Sequence, residues 1–132
     1  MKKVLLILLL LVGTTASAQD WVTDDGFDSA ISGKSAFGED QDIIVIEFYA
    51  EFNKDNAFAD WNKLKGVKYY RCDIAKSPGA KKKYKVRMAP TIIVFKEGFK
   101  EFTYKAGLDL ECPVTLEELQ SDIEELSKAS QF

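Results

Sequence analysis

Histidine is missing from this 132-residue chain, and cysteine occurs only twice. The first absence excludes Ser-His-Asp and Cys-His nucleophilic centres and every zinc site built on imidazole. The second excludes a structural zinc site made of thiolates alone, which needs four ligands. Basic residues are outnumbered, with 18 Lys and Arg against 21 Asp and Glu. That balance argues against binding along a nucleic-acid backbone. Past residue 18 no apolar run exceeds four residues, far short of the roughly twenty that a membrane-spanning helix needs. What remains is a sequence with 46% apolar residues, an ordinary globular proportion. Its chemistry must rest on carboxylates, lysines or two lone thiols. No cofactor or metal site is expected.

The long apolar run is at the start. Lys2 and Lys3 precede an unbroken aliphatic stretch from Val4 to Val12, and Ala16-Ser17-Ala18 follows with small residues at both positions that a signal peptidase reads. The stretch is too short to span a bilayer, so residues 1–18 read as a cleaved secretory signal. The mature protein, residues 19–132, is expected to begin at Gln19 and to be periplasmic or secreted, with no membrane span. Losing Lys2 and Lys3 makes it more acidic still.

The mature chain reads as one α/β domain. Trp21-Val22 precedes Thr23-Asp24-Asp25, suitable for capping a helix that carries Phe27, Ala30 and Ile31. The stretch from Gly38 to Asp42 reads as a loop. Ile43 to Tyr49 is almost continuously β-branched or aromatic, broken once by Glu47, as in a central strand covered on both faces. The spacing of Phe58, Trp61 and Leu64 predicts a helix over Asn53–Leu64, ending near Gly66. Val67 to Asp73 is a further strand, and Ser77-Pro78-Gly79 opens a short lysine-rich helix. Thr91–Lys96 and Phe99–Lys105 flank the hairpin signal Glu97-Gly98. Thr115 and Glu118 form a capping box for a helix with Leu116, Leu119, Ile123 and Leu126 on one face. The predicted order is β-α-β-α-β-α-β-β-α. Lys81-Lys82-Lys83, with Lys85 and Arg87, and the glutamates of the last helix read as solvated faces, and Trp61, Tyr69 and Tyr70 as core or near-core aromatics.

Several words of this sequence, in order and at compatible spacing over residues 20–127, resemble the thioredoxin family. They are Thr23-Asp24-Asp25-Gly26-Phe27, Ile46-Glu47-Phe48-Tyr49-Ala50-Glu51-Phe52, Met88-Ala89-Pro90-Thr91, Phe95-Lys96-Glu97-Gly98 and Gly107. Glu47-Phe48-Tyr49-Ala50 is most similar to the disulfide isomerase branch. The resemblance implies a thioredoxin fold, with a central mixed five-stranded sheet flanked by helices. It also implies a cis peptide before Pro90. The family's Cys-x-x-Cys should follow Phe52, and here Asn53-Lys54-Asp55-Asn56 stands in its place. A carboxamide neither ionises nor forms a sulfur bond, so the dithiol mechanism is absent from its usual position. The tract from Asn56 to Cys72 is also shorter than the family's by roughly two helical turns.

The resemblance assigns further roles. Glu47 falls at the family's buried acid, which here has no inner cysteine to serve, and Arg71 falls where a basic partner is often kept, so a retained internal ion pair or a protonated acid is expected. Asn53 has the chemistry of a helix N-cap. Export favours a disulfide between Cys72 and Cys112. The family's strand order instead separates them by three strands, about 14 Å, too far for a bridge unless the loop from Leu108 to Val114, longer than the family's usual connection, folds back. Both are expected to be mostly free. The resemblance leaves a peptide-docking face of Phe52, Met88, Ala89, Pro90, Ala106 and Gly107, where an extended peptide would pair with the main chain of Ala89. The function expected is therefore that of an exported, non-catalytic binding or accessory module for an extended peptide or protein partner. The alternatives are an atypical thiol oxidoreductase using Cys72 or Cys112, and a structural subunit of an envelope assembly.

Overall fold

β-Branched and aromatic side chains fit a pleated surface best, and the densest run of them forms the middle strand of the sheet. The computed structural model describes residues 20–33 and 42–129; the expected signal segment and most of the Gly38–Asp42 loop lie outside them. Five strands, β1 (Asp20–Trp21), β2 (Ile43–Tyr49), β3 (Lys68–Asp73), β4 (Thr91–Lys96) and β5 (Phe99–Lys105), form one sheet in the order β1-β3-β2-β4-β5. β3 runs parallel to both β1 and β2, whereas β4 is antiparallel to β2 and to β5. The mixed sheet expected from the sequence is thus present. At the β4–β5 turn Glu97 and Gly98 both have positive φ, 52° and 86°, the mirror-image two-residue turn whose twist matches that of the strands.

All seven residues of β2 are buried, because each face of the sheet is covered. Ile44, Ile46 and Phe48 point to one face, with Ile93 and Phe95 of β4 and Cys72 of β3. Helices α1 (Phe27–Ile31) and α2 (Pro78–Lys83) close that side through Phe27, Ile31 and Ala80. Ile43 and Val45 point to the other face, with Tyr69, Ile92 and Val94, beneath Leu119, Ile123 and Leu126 of helix α3 (Leu116–Ala129). Burying each of these aliphatic side chains contributes about 1.5–3 kcal/mol. Thr115 caps α3 as read, its Oγ1 accepting from the Glu118 N–H at 3.2 Å. Lys81, Lys82 and Lys83 are exposed.

The helix expected over Asn53–Leu64 does not form. Its place is taken by two 3-10 turns, Glu51–Asn56 and Trp61–Lys63, with Ala57 and Leu64 extended. The cause is local competition for the backbone. The Phe58 N–H donates to Glu47 Oε2 at 3.0 Å, and its carbonyl accepts from Arg71 Nη2 at 3.2 Å. Both groups that an α-helix would use at this residue are held by side chains of the sheet. The apolar spacing still serves: Phe58 is buried, and Trp61 and Leu64 pack on the same cluster. The periodicity reported burial correctly and helix incorrectly.

A second correction concerns Thr23-Asp24-Asp25. Neither Thr23 nor Gly26, the N-cap positions of the opening 3-10 turn and of α1, makes a side-chain capping bond. Asp24 instead caps α2, accepting from the Gly79 N–H at 2.8 Å and the Ala80 N–H at 2.7 Å. These are first-turn donors with no partner inside the helix, and the carboxylate also suits the positive end of the dipole. Gly79 makes room for it, since a Cβ there would lie 2.9 Å from Asp24 Oδ2. Asp24→Ala is therefore expected to lower stability by about 1 kcal/mol in urea denaturation. Gly79→Ala should also destabilise, and the double variant should lose less than the two single losses added, because both remove one contact.

Candidate functional site

Strand β2 delivers the chain to the end of the sheet where Asn53 and Asn56 stand in the place expected for a dithiol. Asn53 sits within the 3-10 turn at φ −119°, ψ 26°, so it does not act as the helix N-cap that its residue type allows. Its carboxamide reaches across to other segments. Nδ2 donates to the Ala89 carbonyl at 2.7 Å and to the Leu110 carbonyl at 2.9 Å. Asn56 Nδ2 donates to Asn53 Oδ1 at 3.0 Å and to the same Leu110 carbonyl at 3.0 Å. Two asparagines thus tie the turn after β2 to the loop before β4 and to the loop after β5. Leu110 itself has φ +59°, a left-handed conformation that costs a non-glycine residue about 1–2 kcal/mol. The two amide donors on its carbonyl offset that cost.

Behind this clamp is a polar centre around Glu47, whose side chain is fully buried. Its carboxyl accepts from the Phe58 N–H, from the Tyr69 hydroxyl, and from Arg71 Nε at 3.1 Å. Arg71 Nη2 approaches the same oxygen at 3.1 Å. The internal ion pair is therefore present, as one of the two states expected for this acid. Arg71 is itself held over the Tyr49 ring, 5.1 Å from its centroid. Every acceptor position used on Glu47 faces a structural donor, the arrangement that lets a buried acid persist in an apolar strand. Burial first, and then the neighbouring Glu47 charge, hold the Tyr69 phenol above its ordinary value.

The two thiols are free and lie on different faces of the sheet. Cys72 is buried in the cluster under α1 and α2, whereas Cys112 packs in the cluster under α3. The sheet lies between them, which explains the absence of a bridge more simply than the strand count did. Burial pushes both thiols up, with a weaker pull the other way from the Ser77 hydroxyl at Cys72 and from a hydrogen bond to the Val114 backbone at Cys112. A raised thiol is a poor nucleophile near neutral pH.

The expected docking residues come together only in part. The Ala89–Pro90 peptide is cis, and the Ala106 N–H donates to the Pro90 carbonyl at 3.2 Å. Met88 and Ala106 line one groove of about 340 Å³. Phe52 and Gly107 are exposed outside it, Phe52 with 79% of its surface in solvent. Ala89 is almost wholly buried, and its carbonyl is the one taken by Asn53. Sequence reasoning missed Leu108, which is 92% exposed on the loop that the clamp holds. The unusual length of the segment from Leu108 to Val114 was the available signal. Lys85 and Arg87, read with the lysine-rich stretch as a solvated face, line the groove, and so does Lys105, which sequence reasoning missed.

Two tests follow from the Glu47 centre. Arg71→Leu should cost about 3–5 kcal/mol, since it leaves a buried carboxylate uncompensated. Glu47→Leu combined with Arg71→Leu should restore a large part of that loss in the same denaturation experiment. The Tyr69 phenol, raised on folding, contributes stability that is complete below its unfolded value of about 10 and is lost as pH rises above it. The midpoint of thermal unfolding should therefore fall above about pH 10. Tyr69→Phe should lower stability near neutral pH by about 1 kcal/mol and flatten the alkaline fall.

The chain matches no sequence-family profile and no curated protein. Its architecture does match solved structures. The thioredoxin of Malassezia sympodialis superposes with a TM-score of 0.59 at 19% identity, covering 83% of this chain and 91% of that one. A point mutant of a thioredoxin from Halobacterium salinarum gives 0.61 at 18% identity, over 83% of this chain and 95% of that one. A cysteine-to-serine mutant of the Entamoeba histolytica protein gives 0.51 at 15%, over 85% and 99%. Identity at this level speaks for architecture alone, and together with the strand order and the cis-proline loop it establishes that the chain has the thioredoxin fold.

Proposed function

We propose that this chain is an exported thioredoxin-fold domain that does not carry out dithiol exchange and serves as a binding or accessory module for a protein partner. The observation that carries the reading is the pair Asn53 and Asn56, whose side chains are spent on main-chain carbonyls of two neighbouring loops. Sulfur is absent where exchange needs it, and the loops that a redox site leaves open to substrate are tied together. The clamp also joins the two segments that carry Phe52 and Leu108, both exposed. Apolar side chains held in solvent on a rigid frame suit recognition. The Ala89 N–H has no acceptor among the described residues and is the main-chain group left for an extended segment to pair with. Export is read from residues 1–18, and among the described residues no helix is long and apolar enough to cross a membrane.

The atypical oxidoreductase reading has less in its favour. Cys72 is fully buried, Cys112 half-buried, both thiols are raised, and neither begins a helix.

The purified mature protein is expected to show no insulin reduction, and a rate that disappears in Cys72→Ser or Cys112→Ser would overturn the proposal. Asn53→Cys with Asn56→Cys should lower stability by about 1–3 kcal/mol, because the Leu110 and Ala89 carbonyls lose their donors. A double variant as stable as the parent would mean that the clamp holds nothing.

A further inference from the structure

The groove beside the cis-proline is lined by Lys85, Arg87, Met88, Thr91, Lys105 and Ala106. Its three charged residues are all cationic, in a chain whose balance is acidic. Among the described residues five basic side chains form ion pairs, Lys54, Lys63, Lys68, Arg71 and Lys83; the three groove cations, like several lysines elsewhere on the surface, do not, so their charge is open to a ligand. They come from two separate places, the turn after α2 and the end of β5, and Lys105 is set opposite Thr91 by the β4–β5 register. Between the cations the groove offers the apolar surfaces of Met88 and Ala106.

Lys85 adds an independent observation. It follows α2 in a Schellman arrangement, in which the Val86 N–H donates to the Lys81 carbonyl at 2.9 Å and the Lys85 N–H to the Lys82 carbonyl at 3.2 Å. This closure puts the residue after the helix cap in the left-handed region, where glycine is usual. Lys85 has φ +55° there. A lysine at a glycine position opposes stability and gains no ion pair among the described residues. Strain of this kind is worth keeping where the side chain acts on something else.

We propose that this groove binds an acidic, extended polypeptide segment, its carboxylates meeting Lys85, Arg87 and Lys105 and its apolar side chains resting on Met88 and Ala106. The inference rests on the binding-module reading and gives it a partner chemistry. A peptide fits better than a nucleic acid because the cations are only three and the chain as a whole repels a long polyanion.

The test uses the mature protein and a fluorescein-labelled octapeptide of alternating Glu and Leu, read by fluorescence anisotropy. The controls are the peptide with Gln for Glu and an oligothymidylate of equal charge. The acidic peptide should bind more tightly than either control. Arg87→Gln with Lys105→Gln should weaken it about tenfold or more. Lys85→Gly should weaken it too while raising the melting temperature by about 4 °C, a combination that a merely structural lysine would not give. Equal binding of the Gln peptide, equal binding of the oligonucleotide, or no binding of the acidic peptide at all overturns the proposal. Loss on Phe52→Ala with no loss in the groove variants also overturns it, yet leaves the binding-module reading standing. Loss in the groove variants alone, with Phe52→Ala unchanged, upholds the groove and removes Phe52 from the docking face.

Discussion

The carboxamide of Asn53 is the constraint on which the functional end of this molecule depends. It donates to two carbonyls from segments far apart in the chain and accepts from a third residue. Such a group, once half-buried, must keep its partners, because an unmade hydrogen bond there costs more than a made one contributes. The turn after β2, the cis-proline loop and the loop following β5 are therefore positioned together. Where a thiol pair would need an approachable surface, this chain has a closed polar knot.

Beneath the knot, the Glu47–Arg71 pair accounts for the departure from regular helix. A buried acid must find donors, and Glu47 finds them in Tyr69, Arg71 and the Phe58 backbone. Taking the Phe58 N–H and C=O out of helical bonding leaves two 3-10 turns where an α-helix was expected. The two polar centres act on the same short segment from either end. One holds Asn53 and Asn56 to the loops, and the other holds Phe58 to the sheet. Phe52 is kept in solvent on the same rigid segment.

The strands were legible because β2 and β4 are apolar on both faces and admit few other structures. The last helix was legible from its cap and its stripe, and the hairpin from Glu97-Gly98. The helix after β2 was misread because Phe58, Trp61 and Leu64 have helical spacing, and periodicity cannot report that side chains 11 and 13 residues away in sequence claim the backbone. Asp24 was misassigned for the same reason: its capping bonds reach 55 and 56 residues along the chain. The site was half visible. Asn53 and Asn56 could be singled out by their place after β2, but their acceptors are mostly main-chain carbonyls, which carry no residue signature. Lys105 is likewise brought beside Lys85 and Arg87 only by the pairing of β4 with β5.

The central claim is that Asn53 closes the site through hydrogen bonds, and it can be read at the side-chain amide itself. Solvent exchange of the Asn53 Nδ2 protons, followed by NMR, should be markedly slower than that of exposed Asn62, with both protons protected because each has a carbonyl acceptor. Asn53 protons that exchange as fast as those of Asn62 would contradict the account, since the loops would then be free of the clamp.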